Sequence, residues 1–256
     1  MTPALPTDFV ALPIAHRGLH DVSMNRPENS RASVRAAMEA GYGIELDLQL
    51  SADGEAMVFH DYHLGRLTGE TGSVRGRSCE ALQQIPLLHG QGETIPTLRD
   101  ILALVGGRVP LLLELKDQDG AMGPDIGKLE AATAKALEGY TGPVALMSFN
   151  PHSVNEMARL VPGFPRGLVT SDYDPSDWPL PREVCDRLRE IPDFEPVGAS
   201  FVSHEATDLD RARVQKIRDG GAPVLCWTIR SAEAEVQARQ YADNVTFEGY
   251  RAQIPA

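Results

Sequence analysis

The feature that most limits what this chain can become is a rhythm. Eight short apolar segments, at 13–18, 43–50, 110–116, 143–150, 166–171, 197–202, 223–229 and 244–248, read as strands. Longer segments of helical patterning lie between most of them, at 29–40, 97–105, 124–137, 151–160, 182–189, 209–218 and 231–241. Proline or a Gly-Pro pair precedes several strands ("GGRVP", "YTGP", "GGAP"), where a helix must stop and a strand begin. Eight strands alternating with helices in 256 residues close into a parallel (β/α)8 or TIM barrel. An open doubly wound sheet is the competing arrangement, but no GxGxxG turn follows the first strand. The sequence therefore predicts one α/β barrel domain over residues 1–256.

One stretch breaks the rhythm. Residues 51–96 read as a hairpin followed by Gly-rich pieces ("GRLTGETGSVRGRSCEALQQIP"). This predicts a small insertion after strand two, lying over the C-terminal mouth, where a barrel carries its chemistry. The net charge of -12 excludes the electrostatic footprint of a nucleic-acid binder and disfavours an anionic lipid surface. The first residues show no signal peptide, and no apolar run is long enough to span a bilayer. Cys79, Cys185 and Cys226 form no CxxC, which argues against zinc and disulfides and fits a reducing cytoplasm. Cys226 reads as a small core residue.

The chemistry starts in "GIELDLQL". Ile44, Leu46, Leu48 and Leu50 take one face, so Glu45 and Asp47 share the other. Alone, that is an edge strand with a wet side. The next residues change the reading, because Asp53-Gly54 signals a two-residue hairpin loop. Such a loop sets His60 opposite Asp47; a four-residue loop, 51–54, sets it opposite Glu45. A three-residue loop would turn it away. "PLLLELK" repeats the pattern, with Glu114 and Lys116 on the face away from Leu111, Leu113 and Leu115. Charges inside a barrel must be paired or must hold a metal; a plain Glu114–Lys116 ion pair is the alternative.

His16 ends the first strand at the same mouth. Three gathered carboxylates repel each other, and an all-oxygen set suits one hard dication, Mg2+ or Ca2+. Arg17 and Lys116 add fixed positive charge, which makes a phosphate site. Histidines on either side can act as general acid and base near neutral pH. The combination describes metal-assisted hydrolysis of a phosphate ester. The remaining histidines, His20, His63, His89, His152 and His204, read as loop or surface groups, and "TSDYDPSDW" as a solvated loop.

The ordered set "HRG", "PENS", "ELDLQLSADGEAMVFHD", "LGRLTGETG", "LLLELK" and "CWTI" resembles the glycerophosphodiester phosphodiesterase family. The resemblance implies a (β/α)8 barrel with an insertion after strand two. It implies His16 and His60 as the acid/base pair, and Glu45, Asp47 and Glu114 as ligands of one divalent cation. It further implies Arg17 and Lys116 on the phosphate, Glu28 and Asn29 supporting the site, and Trp227 on the pocket wall. The partner would be a small-molecule phosphodiester such as glycerophosphocholine, with no nucleic acid and no stable membrane association. Three departures stand out: "NVTFEGY" lacks an aspartate-containing ending, Arg230 replaces a shorter polar residue, and Gly65 replaces an acid. A phospholipase-D-like or sugar-phosphodiester enzyme, or a non-catalytic glycerophosphate binder, could use the same residues. Which histidine is acid, the oligomeric state and the completeness of an eighth helix stay open.

Overall fold

A computed structural model describes residues 2–255. The strands are β1 (Ile14–Ala15), β2 (Gly43–Leu50), β3 (Ala56–Val58), β4 (Leu111–Leu115), β5 (Val144–Ser148), β6 (Arg166–Thr170), β7 (Phe201–Glu205), β8 (Val224–Ile229) and β9 (Asn244–Phe247). All but β3 are parallel, and β1 pairs with both β2 and β9, so the barrel closes. The fold is the TIM barrel that the alternation requires. The seventh strand starts later than its apolar run at 197–202, because amide bonds from residues 197–199 back to 193–195 hold that run in turns.

The helices are α1 (Asp8–Ala11), α2 (Arg31–Glu39), α3 (Cys79–Gln83), α4 (Leu98–Val105), α5 (Lys128–Leu137), α6 (Pro151–Leu160), α7 (Arg182–Arg189), α8 (Ala212–Asp219) and α9 (Ala232–Ala238). α6 and α7 run over the expected residues. α2, α4 and α9 begin one or two residues later because Ser30, Thr97 and Ser231 stay outside as caps, each accepting the amide three residues on. No helix follows β9 among the described residues. The segment after it is fastened by Tyr42 Oη, which donates to the Ala252 carbonyl at 2.6 Å.

Two apolar layers position the mouth. Ile44, Leu46, Leu48, Leu111, Leu113 and Leu115 face outward, into the layer shared with the helices. Inside, Ile14, Leu112, Ala145, Phe201 and Leu225 fill the barrel around Phe9 of α1, which seals the N-terminal end. A buried side chain such as Phe9 contributes about 1.5–3 kcal/mol. Asn244 Nδ2 holds α1 in place by donating to the carbonyls of Phe9 (2.8 Å) and Leu12 (2.6 Å). Gly167 is required here, since a Cβ would overlap the Phe201 ring. Packing of the lower half leaves only the upper half for polar groups.

The hairpin departs from expectation. Leu50 pairs with Ala56 and Leu48 with Val58, so Ala52, Asp53 and Gly54 form a three-residue loop. Ser51 explains it: its hydroxyl donates to Asp53 (2.6 Å) and accepts the Glu55 amide (2.8 Å). Asp53 also takes the Cys79 amide. By parity this register would turn His60 away, but the ladder stops at Val58, and the Phe59 amide on the Asp47 carbonyl is the last link. Beyond it the chain leaves the sheet and His60 comes back over the mouth. The insertion carries its own small core of Met57, Phe59, Leu64, Val74, Leu82, Ile85, Leu87 and Ile95.

Candidate active site

A cavity of about 180 Å³ at the C-terminal mouth is lined by His16, Arg17, Glu45, His60, Glu114 and Lys116, with Trp227 and Phe149 on its apolar wall. β2 delivers Glu45 and Asp47, and β4 delivers Glu114 in register with Asp47. Oxygens of these three carboxylates lie within 4.8 Å of one another. Lys116 Nζ joins two of them, at 2.7 Å from Asp47 and 2.6 Å from Glu114. Arg17 reaches the set from the HRG turn. Its amide donates to Glu45 (3.0 Å), and its Nε lies 3.3 Å from Asp47 without hydrogen-bond alignment, so it acts there as a charge. Gly18, at φ +77°, makes that turn possible, since a Cβ would sit 2.5 Å from Ser33 Oγ.

The electrostatics single out Glu45. Burial, then Asp47 and Glu114, push its carboxyl well above the usual range. For Asp47, burial pushes upward too, but Lys116, His60 and Arg17 outweigh it and hold the carboxyl far below the usual range. Lys116 is raised by Asp47 and Glu114 against its own burial. Two cations thus serve three buried acids, and Glu45 Oε1 is buried with no hydrogen-bond partner. A hard divalent cation fits that vacancy of charge and that all-oxygen donor set.

Each histidine is fixed by a carboxylate. His16 Nδ1 lies 2.6 Å from Glu248, the residue just past β9. The His16 bond, then His20, holds Glu248 far below the usual carboxylate range, so Nδ1 carries the hydrogen and Nε2 is left as the acceptor. Burial lowers the His16 pKa, which favours the neutral ring. Arg230 Nε donates to the other Glu248 oxygen at 2.8 Å. His60 Nδ1 lies 2.6 Å from Asp61. Arg66 then bridges Asp61 (2.7 Å) and Glu28 (2.7 Å), and Glu28 accepts from Arg17 (2.7 Å).

Glu28 and Asn29 do not line the cavity; Asn29 Nδ2 donates to Asp47 at 2.9 Å, and Asn29 Oδ1 accepts the Asp47 amide at 3.2 Å. Asp47 itself lies behind Arg17 and Lys116. Trp227 donates to the Ser203 carbonyl at 3.1 Å with its ring on the cavity. Sequence reasoning missed Glu248 and Arg66 and gave Asp61 no role; only the adjacency "HD" and an acid ending the last strand point to them. Two bland readings change. His204 is fully buried in β7, bonded to Thr170 and Asp208, and His20 Nε2 lies 3.4 Å from Glu248. The loop 170–178 exposes Asp174 and Asp177, but Tyr173 and Trp178 turn inward against Phe149.

An acidic trio flanked by fixed cations and two carboxylate-bound imidazoles, at the mouth of a parallel barrel, defines a barrel enzyme suited to an anionic ester. The model of the glycerophosphoryl diester phosphodiesterase family matches residues 16–246, and the chain belongs to that family. A glycerophosphodiester phosphodiesterase of Caldanaerobacter subterraneus is 35% identical over 167 residues, covering 62% of this chain and 66% of the relative. YhdW of Bacillus subtilis, provisionally named for the same activity, is 29% identical over 235 residues, covering 88% and 89%. An Oleispira antarctica phosphodiesterase in complex with the product sn-glycerol-3-phosphate superposes with a TM-score of 0.75 at 26% identity, covering 96% and 93%. No helix among the described residues is long and apolar enough to cross a membrane.

Proposed function

We propose that the enzyme cleaves glycerophosphodiesters to glycerol 3-phosphate and an alcohol. The observation that carries this reading is the convergence of Glu45, Asp47 and Glu114 beside Arg17 and Lys116, between His16 and His60. A divalent cation held by the three carboxylates, Mg2+ or Ca2+, would supply Lewis-acid polarisation of the phosphoryl group. Arg17 and Lys116 orient the phosphoryl oxygens and offset the charge that builds on them. His16 Nε2, the free acceptor, takes the proton from the nucleophile, whether water or the neighbouring glycerol hydroxyl; in the second case a cyclic phosphate forms, and water then opens it to glycerol 3-phosphate. As the bond from phosphorus to the alcohol oxygen breaks, His60, entering the step protonated, gives its own proton to that oxygen.

Glu248 and Asp61 keep the two rings in these orientations. Barrel and insertion work as one catalytic unit, because His60 belongs to the inserted segment. Three free thiols, Cys79, Cys185 and Cys226, favour a cytoplasmic setting. The test is release of glycerol 3-phosphate from a panel of glycerophosphodiesters. His16→Ala and His60→Ala should each lower kcat by about 10²–10⁴. Turnover that survives exhaustive chelation, or that is unchanged in His16→Ala, contradicts the reading.

A further inference from the structure

Past His60 and Phe149 the cavity opens into a trough of about 480 Å³. Tyr62, from the insertion, faces Met122, Phe149 and Trp178 across it, while Asp61, Glu114 and Asp117 lie on its rim. Those rim acids are already engaged. Asp61 accepts from His60 and Arg66, and Glu114 from Lys116. Asp117 accepts from the amides of Asp119, Gly120 and Met122 and from Asn150 Nδ2. What remains free is mostly apolar, with the exposed His63 as the exception: Tyr62 is 48% exposed, and Met122, Phe149 and Trp178 are half-buried.

The aromatic side chains form a continuous wall. Phe149 meets Trp227 at 5.6 Å on the inner side and Trp178 at 5.1 Å on the outer side. The inner cavity is bounded by the buried Val169, Ser203 and Thr246, and it shares Glu114, Lys116 and Phe149 with the trough, so a substituent that outgrows it can extend that way. His60 borders both spaces.

Building on the phosphodiesterase reading, we propose that this trough receives the leaving alcohol. It selects diesters whose alcohol carries an alkyl or aryl body over those with compact polar or cationic alcohols. His60 then stands where the departing oxygen must be protonated, with the apolar body lying beyond it against Trp178 and Tyr62.

The experiment uses the cation-loaded enzyme and n-alkyl esters of glycerol 3-phosphate, methyl to octyl, whose alcohols differ little in acidity. kcat/KM should climb with length, by up to about fourfold per methylene where burial is complete, until the trough is full. In Trp178→Ala, and separately in the exposed-site variant Tyr62→Ala, the hexyl-to-methyl ratio should fall several-fold. A flat or falling series overturns the proposal, as does a ratio unchanged in both variants. A choline ester preferred about tenfold over its carbon isostere, the 3,3-dimethylbutyl ester, overturns it in favour of cation recognition. Cleavage of the methyl ester with no length dependence rejects the trough alone; no cleavage of any member rejects the phosphodiesterase reading beneath it.

Discussion

Replacing Glu45 by Gln should make the cation-free enzyme more stable while disabling it. Glu45 Oε1 is buried and has no partner, and burial with Asp47 and Glu114 raises the folded-state pKa of the carboxyl well above its ordinary value. The sign follows from linkage. A raised carboxyl contributes stability that is fully present below its unfolded pKa and is lost as pH rises through the folded value. Above that value the chelated wild type holds an ionised, incompletely paired carboxylate. Glutamine is neutral at every pH and can still accept the Arg17 amide. A buried acceptor without a partner costs about 1–3 kcal/mol, so Glu45→Gln should recover up to about that much as pH rises above the ordinary carboxylate range, and little at acid pH. Each kcal/mol moves Tm by about 2–4 °C in a chain of this size.

Adding the proposed cation should reverse the order. Wild type should gain about 2.7 kcal/mol at a cation concentration of 100 Kd, and the variant, one carboxylate short, should gain less. The assay is urea unfolding from pH 4 to pH 8, with chelator and with saturating Mg2+ or Ca2+. A variant less stable than wild type throughout the chelated series, or one with the full cation increment, refutes the reasoning.

Glu248→Gln removes the anion that fixes the His16 tautomer, so kcat should fall about tenfold or more with little change in KM; unchanged kcat would contradict the orienting role. Arg66→Ala cuts an exposed bridge, so stability should change by less than about 1 kcal/mol while kcat/KM falls, measured by unfolding and turnover side by side. Loss of several kcal/mol with intact turnover would instead mark a structural tie. Gly167→Ala sets a methyl group against the Phe201 ring and should cost about 1–3 kcal/mol in chemical denaturation; an unshifted midpoint would mean that the barrel interior has room to spare.

Local signals in this sequence carry local structure. The alternation in "GIELDLQL" needs only strand geometry, and α6 and α7 are bounded by Asn150-Pro151 and Pro181, whose preferences act within one turn. The hairpin departs from its local signal because Asp53-Gly54 favours two residues in isolation, whereas Ser51 and the distant Cys79 amide hold three. His60 still reaches the site only because the ladder ends at Val58, and no pattern in the sequence marks that end. Glu248 was illegible for a plainer reason: its partner His16 is 232 residues away. Trp178 reads as part of an acid-rich loop until Phe149 and Tyr173 are seen beside it.

The pairing of His16 with Glu248 joins the turn after the first strand of the cylinder to the residue just past its last. A partly folded chain can therefore assemble its acidic pocket from the early strands and still have no aligned imidazole on that side. Only when β1 and β9 dock does His16, the proposed proton acceptor, acquire its bearing. Hydrolysis in a refolding mixture should therefore not return before β1 docks on β9, however early the carboxylates of β2 and β4 gather.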